Sequence, residues 1–325
     1  MKTKEGLLLV QLGSPESLSV DKIEEFLYAY LGDRHTLGNP PPFWKFILKH
    51  FVLPKGKFTS FAKYERMFRE TGLTKMPLPE RSLEFLEKLR PELPGTAVEL
   101  AFQYGCKPDL PASVKTLMEL GVEELKVVPL YPQRAGVTTG AALESARQAI
   151  LGAKFQGRAT YANGYFKPGA WAREVANDIR PKLHEGETLV LSWHSVQVER
   201  ILKGDPYQSD CEASVAAIGE ELGVKPLIAY QSKFGGGKWL GPSLTETFKK
   251  LGGEHRDIVV ANPSFAVDNL ETIDEINGEG RKLFKAAGGG NFTYVECLNA
   301  KDSWVKAFAH EVLPALEFQE FRGKL

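Results

Sequence analysis

Cysteine is scarce: the 325 residues contain three, Cys106, Cys211 and Cys297, all far apart. No CxxC spacing occurs, so neither a local zinc site nor a disulfide framework is signalled, and a reducing, cytoplasmic setting is expected. Net charge is also missing. Forty-one basic residues balance 41 acidic ones, which removes the global field that would argue for a nucleic-acid partner. Long apolar runs are absent. The first, inside MKTKEGLLLVQLGSPES, breaks at Gly13; it is too short for a secretion signal or a membrane span and reads as a first strand. GSPES lacks G-x-G-x-x-G and any P-loop lysine, GGGKW (235–239) follows no fingerprint, and no G-x-S-x-G elbow exists. Nucleotide binding and serine hydrolysis are therefore weakly supported.

What is present is ordinary globular composition, 43% hydrophobic and 25% charged, at a length sufficient for two domains. Short β-rich runs alternate with helical patterns, which indicates α/β architecture with parallel sheets. Strands are expected at 7–12, 97–103, 125–131, 158–162, 188–193, 226–231, 257–261 and 292–296. Helices are expected at 19–31, 80–90, 110–120, 139–151, 169–183, 209–222, 243–251, 268–287 and 302–317. The halves repeat: LLLVQLGSP (7–15) matches LVLSWHSVQ (189–197), and VVPLYPQ (127–133) matches VVANPSF (259–265). The expectation is two similar Rossmann-like domains, 1–160 and 161–325, each a four-stranded parallel sheet flanked by helices, with a cleft between them. Strand one to strand two takes 90 positions in the first half against 37 in the second, so the first carries an insertion of 53 residues between about 32 and 85. Its centre, PPPFWKFILKHFVLPKGKF (40–58), is apolar, aromatic and basic. It reads either as a lip over a membrane surface or a large apolar ligand, or as a helix packed on its own domain.

In such folds ligands sit outside the carboxyl ends of strands. His194 ends a strand in VLSWHSVQ, and imidazole suits general-base work near neutral pH; a histidine capping the local turn is the plainer reading. In IVVANPSFAVDNLETIDEINGE (258–279), a strand turns into a helix whose Asp268, Glu271, Glu275 and Glu279 recur at steps of three and four and share a face. Like charges so spaced repel. A cation would explain them, and so would a helix start in which Asp268-x-x-Glu271 forms a capping box. Nitrogen and oxygen ligands on facing walls suit a borderline divalent ion such as Fe(II).

These pieces resemble the ferrochelatase family nearly end to end. LLLVQLGSP, LYPQ with TTG (138–140), SWHS followed by GDPY (204–207), QSKFG (231–235) with WLGP (239–242), VDNLETIDEI (267–276) and LNAKDSW (298–304) stand in the family's order. The resemblance implies a chelatase-like pair of Rossmann-like domains that insert Fe(II) into a dicarboxylate porphyrin, the last step to protoheme. By motif position it implies catalytic roles for His194 and Glu271, and metal contacts from His194, Glu271, Glu275 and Glu279. It places Leu12, Gln103, Tyr104, Arg134 and Trp239 among the substrate contacts and makes the insertion the family's aromatic lip. Porphyrin and ferrous iron are the expected partners, with iron as substrate and no permanently bound cofactor.

The sequence departs from the family's pattern at several places. Met76 in TKMPL (74–78) stands where serine is usual, Gln103 where arginine often precedes Tyr104, Arg134 where an aromatic often follows LYPQ, and Asn269 where histidine is common. The expectation is that Arg134 supplies the positive charge that Gln103 does not. The clustered-cysteine extension of the eukaryotic type has no counterpart before Leu325, and Gly136 stands where a cluster cysteine could sit, so no iron–sulfur cluster is expected. Leu12 occupies a position that is tyrosine in coproporphyrin-type enzymes, which favours protoporphyrin. The rivals are a coproporphyrin or other tetrapyrrole chelatase, and a binding protein that carries a tetrapyrrole or metal without chemistry. A cytoplasmic protein with peripheral membrane contact through 40–58 is the expected setting.

Overall fold

The computed structural model describes residues 4–37, 40–167, 169–233 and 236–321; Phe234 and Gly235 of the QSKFG motif lie outside them. Parallel strands covered on both faces need apolar side chains on both sides, and they read as unbroken runs. Leu7 to Val10 are each at most 1% exposed, and Ile258, Val259 and Val260 are fully buried.

The first half builds a sheet from β1 (Glu5–Ser14), β2 (Ala97–Gly105), β3 (Glu124–Pro129) and β4 (Arg158–Tyr161). The second builds one from β5 (Thr188–His194), β6 (Leu227–Gln231), β7 (Ile258–Ala261) and β8 (Phe292–Val295). Strand orders are β2-β1-β3-β4 and β6-β5-β7-β8, the same order twice, with every pairing among them parallel. The first sheet also gains an antiparallel edge strand, β9 (Gln319–Glu320), through Thr160 and Tyr161. Two residues carry no periodicity, and the four-strand expectation did not include them.

The apolar core runs between the halves: Leu100, Phe102 and Leu130 belong to the same buried cluster as Leu191, Trp193, Val259 and Phe308. Each sheet's order reverses between its first and third strands, so the switch points lie beyond β1/β3 and β5/β7. Gly13 lets the first of these loops close. It has φ +98°, and a Cβ there would meet the Tyr104 carbonyl oxygen at 1.9 Å.

The insertion is helical. Trp44–Ile47, a wider turn over Leu48–Val52, and Leu53–Thr71 follow one another without a break, and a second helix spans Pro77–Leu89. Pro54 explains the wide turn, because proline offers no N–H and its ring crowds the preceding turn. Trp44 Nε1 donates to the Leu31 carbonyl at 2.6 Å, and Lys57 pairs with Glu24 at 2.6 Å, so the lip rests on the helix Val20–Gly32 of its own half. The 268–287 helix begins two residues late, at Leu270, and its backbone bonds widen to i→i+5 over Glu271–Gly280 before Arg281–Ala286. Such widened turns are frequent at functional sites.

Candidate active site

β5 delivers His194 to the cleft. Its Nδ1 lies 2.8 Å from the Ser195 carbonyl oxygen. A carbonyl only accepts, so Nδ1 carries a proton, and in the neutral ring Nε2 is left as an acceptor. Nε2 faces Glu271 Oε2 at 3.9 Å, beyond hydrogen-bond length. That carboxylate oxygen is covered and has no hydrogen-bond partner. Burial pushes the Glu271 carboxyl above the usual range and Glu275 adds to the rise, while His194, a hydrogen bond from Gln231 and Lys63 oppose it. Two proton acceptors thus face each other, one at the end of β5 and one beyond the end of β7, with no hydrogen bond between them.

Glu271 also lines a cavity of ≈ 190 Å³ whose other walls include Leu12, Tyr30, Tyr64, Met76, Leu78, Tyr131 and Phe265. The wall is mostly apolar and aromatic with a carboxylate at one end, the composition of a site for a flat apolar ligand with a polar centre. His194 meets the cavity through Glu271.

The remaining carboxylates divide by their partners. Glu275 lines the cavity, takes Lys63 Nζ on Oε1 at 2.6 Å and the Ser232 hydroxyl on Oε2 at 3.0 Å. Glu279 stands further out, 3.6 Å from Arg66 and 3.2 Å from Lys282. Among the described residues no three His, Cys, Asp or Glu side chains converge as a ligand cluster; His194 and Glu271 form a pair, with Glu275 the next carboxylate along the helix. Asp268 is not a cap. It is 1% exposed and accepts from Arg81, Thr272, Tyr294, the Cys297 amide and Asn299 at 2.5 to 3.2 Å. Asn269 does the capping, its Oδ1 accepting from the Glu271 and Thr272 amides at 2.9 and 3.4 Å. The capping-box reading therefore moves by one residue.

Four of the five expected substrate contacts stand off the cavity wall. Leu12 is on it. Tyr104 is one ring behind, packed on Tyr30 at 5.6 Å with its hydroxyl donated to Asp33 at 2.6 Å. Gln103, on the opposite face of β2, reaches Ser145 and accepts from Tyr131 at 3.3 Å each. Trp239 is half-buried, its indole N–H without a partner. Arg134 is the clearest correction. Its Nε and Nη2 fork Asp210 at 2.8 and 2.7 Å and its amide adds 3.0 Å. A guanidinium so committed to a buried carboxylate cannot compensate for Gln103. With Gly136 N to Asp205 at 2.9 Å and Gln133 to Ser214 at 3.0 Å, it joins LYPQ to the segment following GDPY as a staple between the halves.

Sequence reasoning missed Lys63, Arg66 and Arg81. Arg66 forks Asp274 at 2.7 and 2.6 Å. For Lys63 and Arg66 a trace lies in the spacing of Lys63, Arg66 and Glu70, which complements that of Asp274, Glu275, Glu279 and Lys282.

Two parallel α/β halves of like order, with a histidine–carboxylate pair at the switch point of the second, define the two-domain chelatase class. Solved structures share the fold: SirB from Bacillus subtilis superposes with TM-score 0.61 over 96% of this chain and 95% of its own at 14% identity. CbiX, the terminal enzyme of siroheme biosynthesis in denitrifying bacteria, does so with TM-score 0.52 over 96% and 100% at 12% identity. Within that class, the ferrochelatase family model matches residues 4–316. Ferrochelatase 2 of Shewanella oneidensis is 32% identical over 324 residues, covering 96% of this chain and 98% of the relative. The ferrochelatase of Thioalkalivibrio sulfidiphilus is 32% identical over 95% and 86%. The chain belongs to the ferrochelatase family: it is a lyase of heme biosynthesis that takes ferrous iron and a porphyrin as substrates.

Proposed function

We propose that the porphyrin is protoporphyrin IX and that His194 and Glu271 remove its two pyrrole protons as Fe(II) enters. The observation that carries the proton roles is the facing pair, Nε2 and Oε2 at 3.9 Å, with no hydrogen bond on Oε2 among the described residues. The reaction balances on that pair: the metal-free ring loses two N–H protons, the iron takes their place, and each acceptor receives one. Burial favours the protonated form of Glu271, which suits a carboxylate that must take a proton from a weak acid. A ring bent against the Tyr30, Tyr64 and Phe265 wall presents its nitrogen lone pairs to one side, a form of substrate strain. Glu275 and Glu279 provide the metal's approach, and the segments 1–160 and 161–325 serve as the two walls.

A cavity of ≈ 190 Å³ is smaller than the roughly 300–1,000 Å³ of sites that enclose drug-sized ligands. On this reading part of the macrocycle lies outside the cavity. The lip's outer face carries Phe43, Phe46, Phe51 and Phe58 at 58 to 76% exposure beside exposed Lys45, Lys49 and Lys55. That combination suits peripheral contact with an anionic membrane, from which an apolar porphyrin is taken up. No helix among the described residues is long and apolar enough to cross one. The reading includes no iron–sulfur cluster, because the three cysteines, all buried, are fewer than the four thiolates that ordinary clusters use.

Parallel iron-insertion assays with protoporphyrin IX and coproporphyrin test the substrate. Faster turnover of protoporphyrin is expected, and a preference for coproporphyrin overturns it. Sedimentation with anionic liposomes tests the lip; Phe43→Ser with Phe46→Ser should abolish it, and unchanged sedimentation removes the membrane reading. Trp44 is a poor probe because its indole holds the lip in place.

A further inference from the structure

The lip helix Leu53–Thr71 lays two basic residues, Lys63 and Arg66, against the Glu271–Gly280 helix, and they are held differently. Arg66 forks Asp274, which is 1% exposed, through two bonds of fixed geometry. Lys63 makes a single contact, Nζ to Glu275 Oε1 at 2.6 Å, and the two side chains keep 37% and 28% of their exposure. Both line the cavity that ends at Glu271. An ammonium is a compact point charge on a flexible stem, without the planar fork that fixes a guanidinium. It can leave a carboxylate for water at little cost.

We propose that Lys63 is a tethered counter-cation of the metal route, which fills the cation position at Glu275 until a divalent ion displaces it and returns once that ion has moved to Glu271 and His194. This rests on the reading of Glu275 as a metal contact. Two carboxylates four apart on one helix would otherwise repel each other, or hold a divalent ion too firmly to pass it on. The ammonium settles both. It neutralises Glu275 between turnovers, and it sets the ion's gain at Glu275 against the loss of an existing pair. It also favours charge. A monovalent ion offers Glu275 no more than the ammonium already does, whereas a divalent ion offers twice as much. Lys63 is thus a positioning residue that acts on the metal and not on the porphyrin, and the neighbouring Arg66 fork keeps the helix docked when Lys63 lets go.

The test uses the full chain as wild type, Lys63→Met, Glu275→Gln and the double variant. Steady-state Zn(II) insertion gives metal KM, porphyrin KM and kcat, and equilibrium binding of Co(II) is measured without porphyrin. Lys63→Met should lower the metal KM and tighten Co(II) binding about fivefold, the scale of a half-exposed ion pair. It should lower kcat and leave porphyrin KM unchanged. Adding Glu275→Gln should remove the gain. An unchanged or raised metal KM in Lys63→Met overturns the proposal, as does a raised porphyrin KM with a lowered Tm, which marks a purely structural contact. If Glu275→Gln alone raises the metal KM while Lys63→Met changes nothing, the counter-cation role fails and the route stands. If Glu275→Gln leaves the metal KM unchanged, the route fails and the proposal with it.

Discussion

Asp268 and Glu271 stand three residues apart at the start of one helix. Asp268 is met by five donors from Arg81, Thr272, Tyr294, Cys297 and Asn299. Glu271 keeps one covered oxygen without any among the described residues, 3.9 Å from His194 Nε2. A buried carboxylate with every lone pair used fixes the backbone around it; one with a lone pair left over keeps an unmet demand that a substrate can fill. The first ties the helix start to Arg81 of the other half, and that tie holds the second in position. The same contrast separates Arg66, forked on Asp274, from Lys63, singly bonded to Glu275.

The contrast breaks first at Asp268. Asp268→Ala leaves Arg81, Tyr294 and Asn299 without their acceptor and should cost about 3 kcal/mol or more, read as a large drop in Tm with activity lost through unfolding. Arg134→Met should cost about 2 kcal/mol by stranding buried Asp210, while porphyrin affinity measured by fluorescence quenching stays unchanged. Reduced affinity in a protein that remains folded would restore Arg134 as a substrate contact. Asn269→Ala removes the helix cap and should cost about 1 kcal/mol, read by chemical denaturation.

The smallest effect is expected to have the opposite sign. Burial raises the folded-state carboxyl pKa of Glu271 above 4.5. The stability it contributes is fully present below the unfolded-state value and is lost as pH rises toward the folded one. Glu271→Gln should therefore raise stability at neutral pH, with the gain gone below the unfolded-state pKa. Destabilisation at pH 7 would mean that Glu271 is structural, like Asp268.

Several of these features were legible in the sequence. Parallel strands announce themselves as apolar runs, and the repeat predicts two like halves of four strands each. The insertion showed as a difference in spacing, and His194 as a histidine at a strand end. Partnership was not legible. Asp268 and Glu271 are both acids at a helix start, and only the packing of Arg81, Tyr294 and Asn299 from distant positions distinguishes them. Arg134 read as a free cation because Asp210, 76 residues away, leaves no mark near it. The Lys63 and Arg66 contacts depend on how the lip helix docks across the cleft, which no local pattern encodes. β9 is too short to carry a period.

The most direct measurement is iron insertion by His194→Ala and Glu271→Gln, with porphyrin binding followed separately by fluorescence. Both variants should bind porphyrin within about twofold of wild type and insert iron at least about 100-fold more slowly, the scale on which a positioned acid or base acts. Near wild-type insertion in either variant, or a loss explained wholly by weaker porphyrin binding, would contradict the assignment of the facing pair as the reacting site.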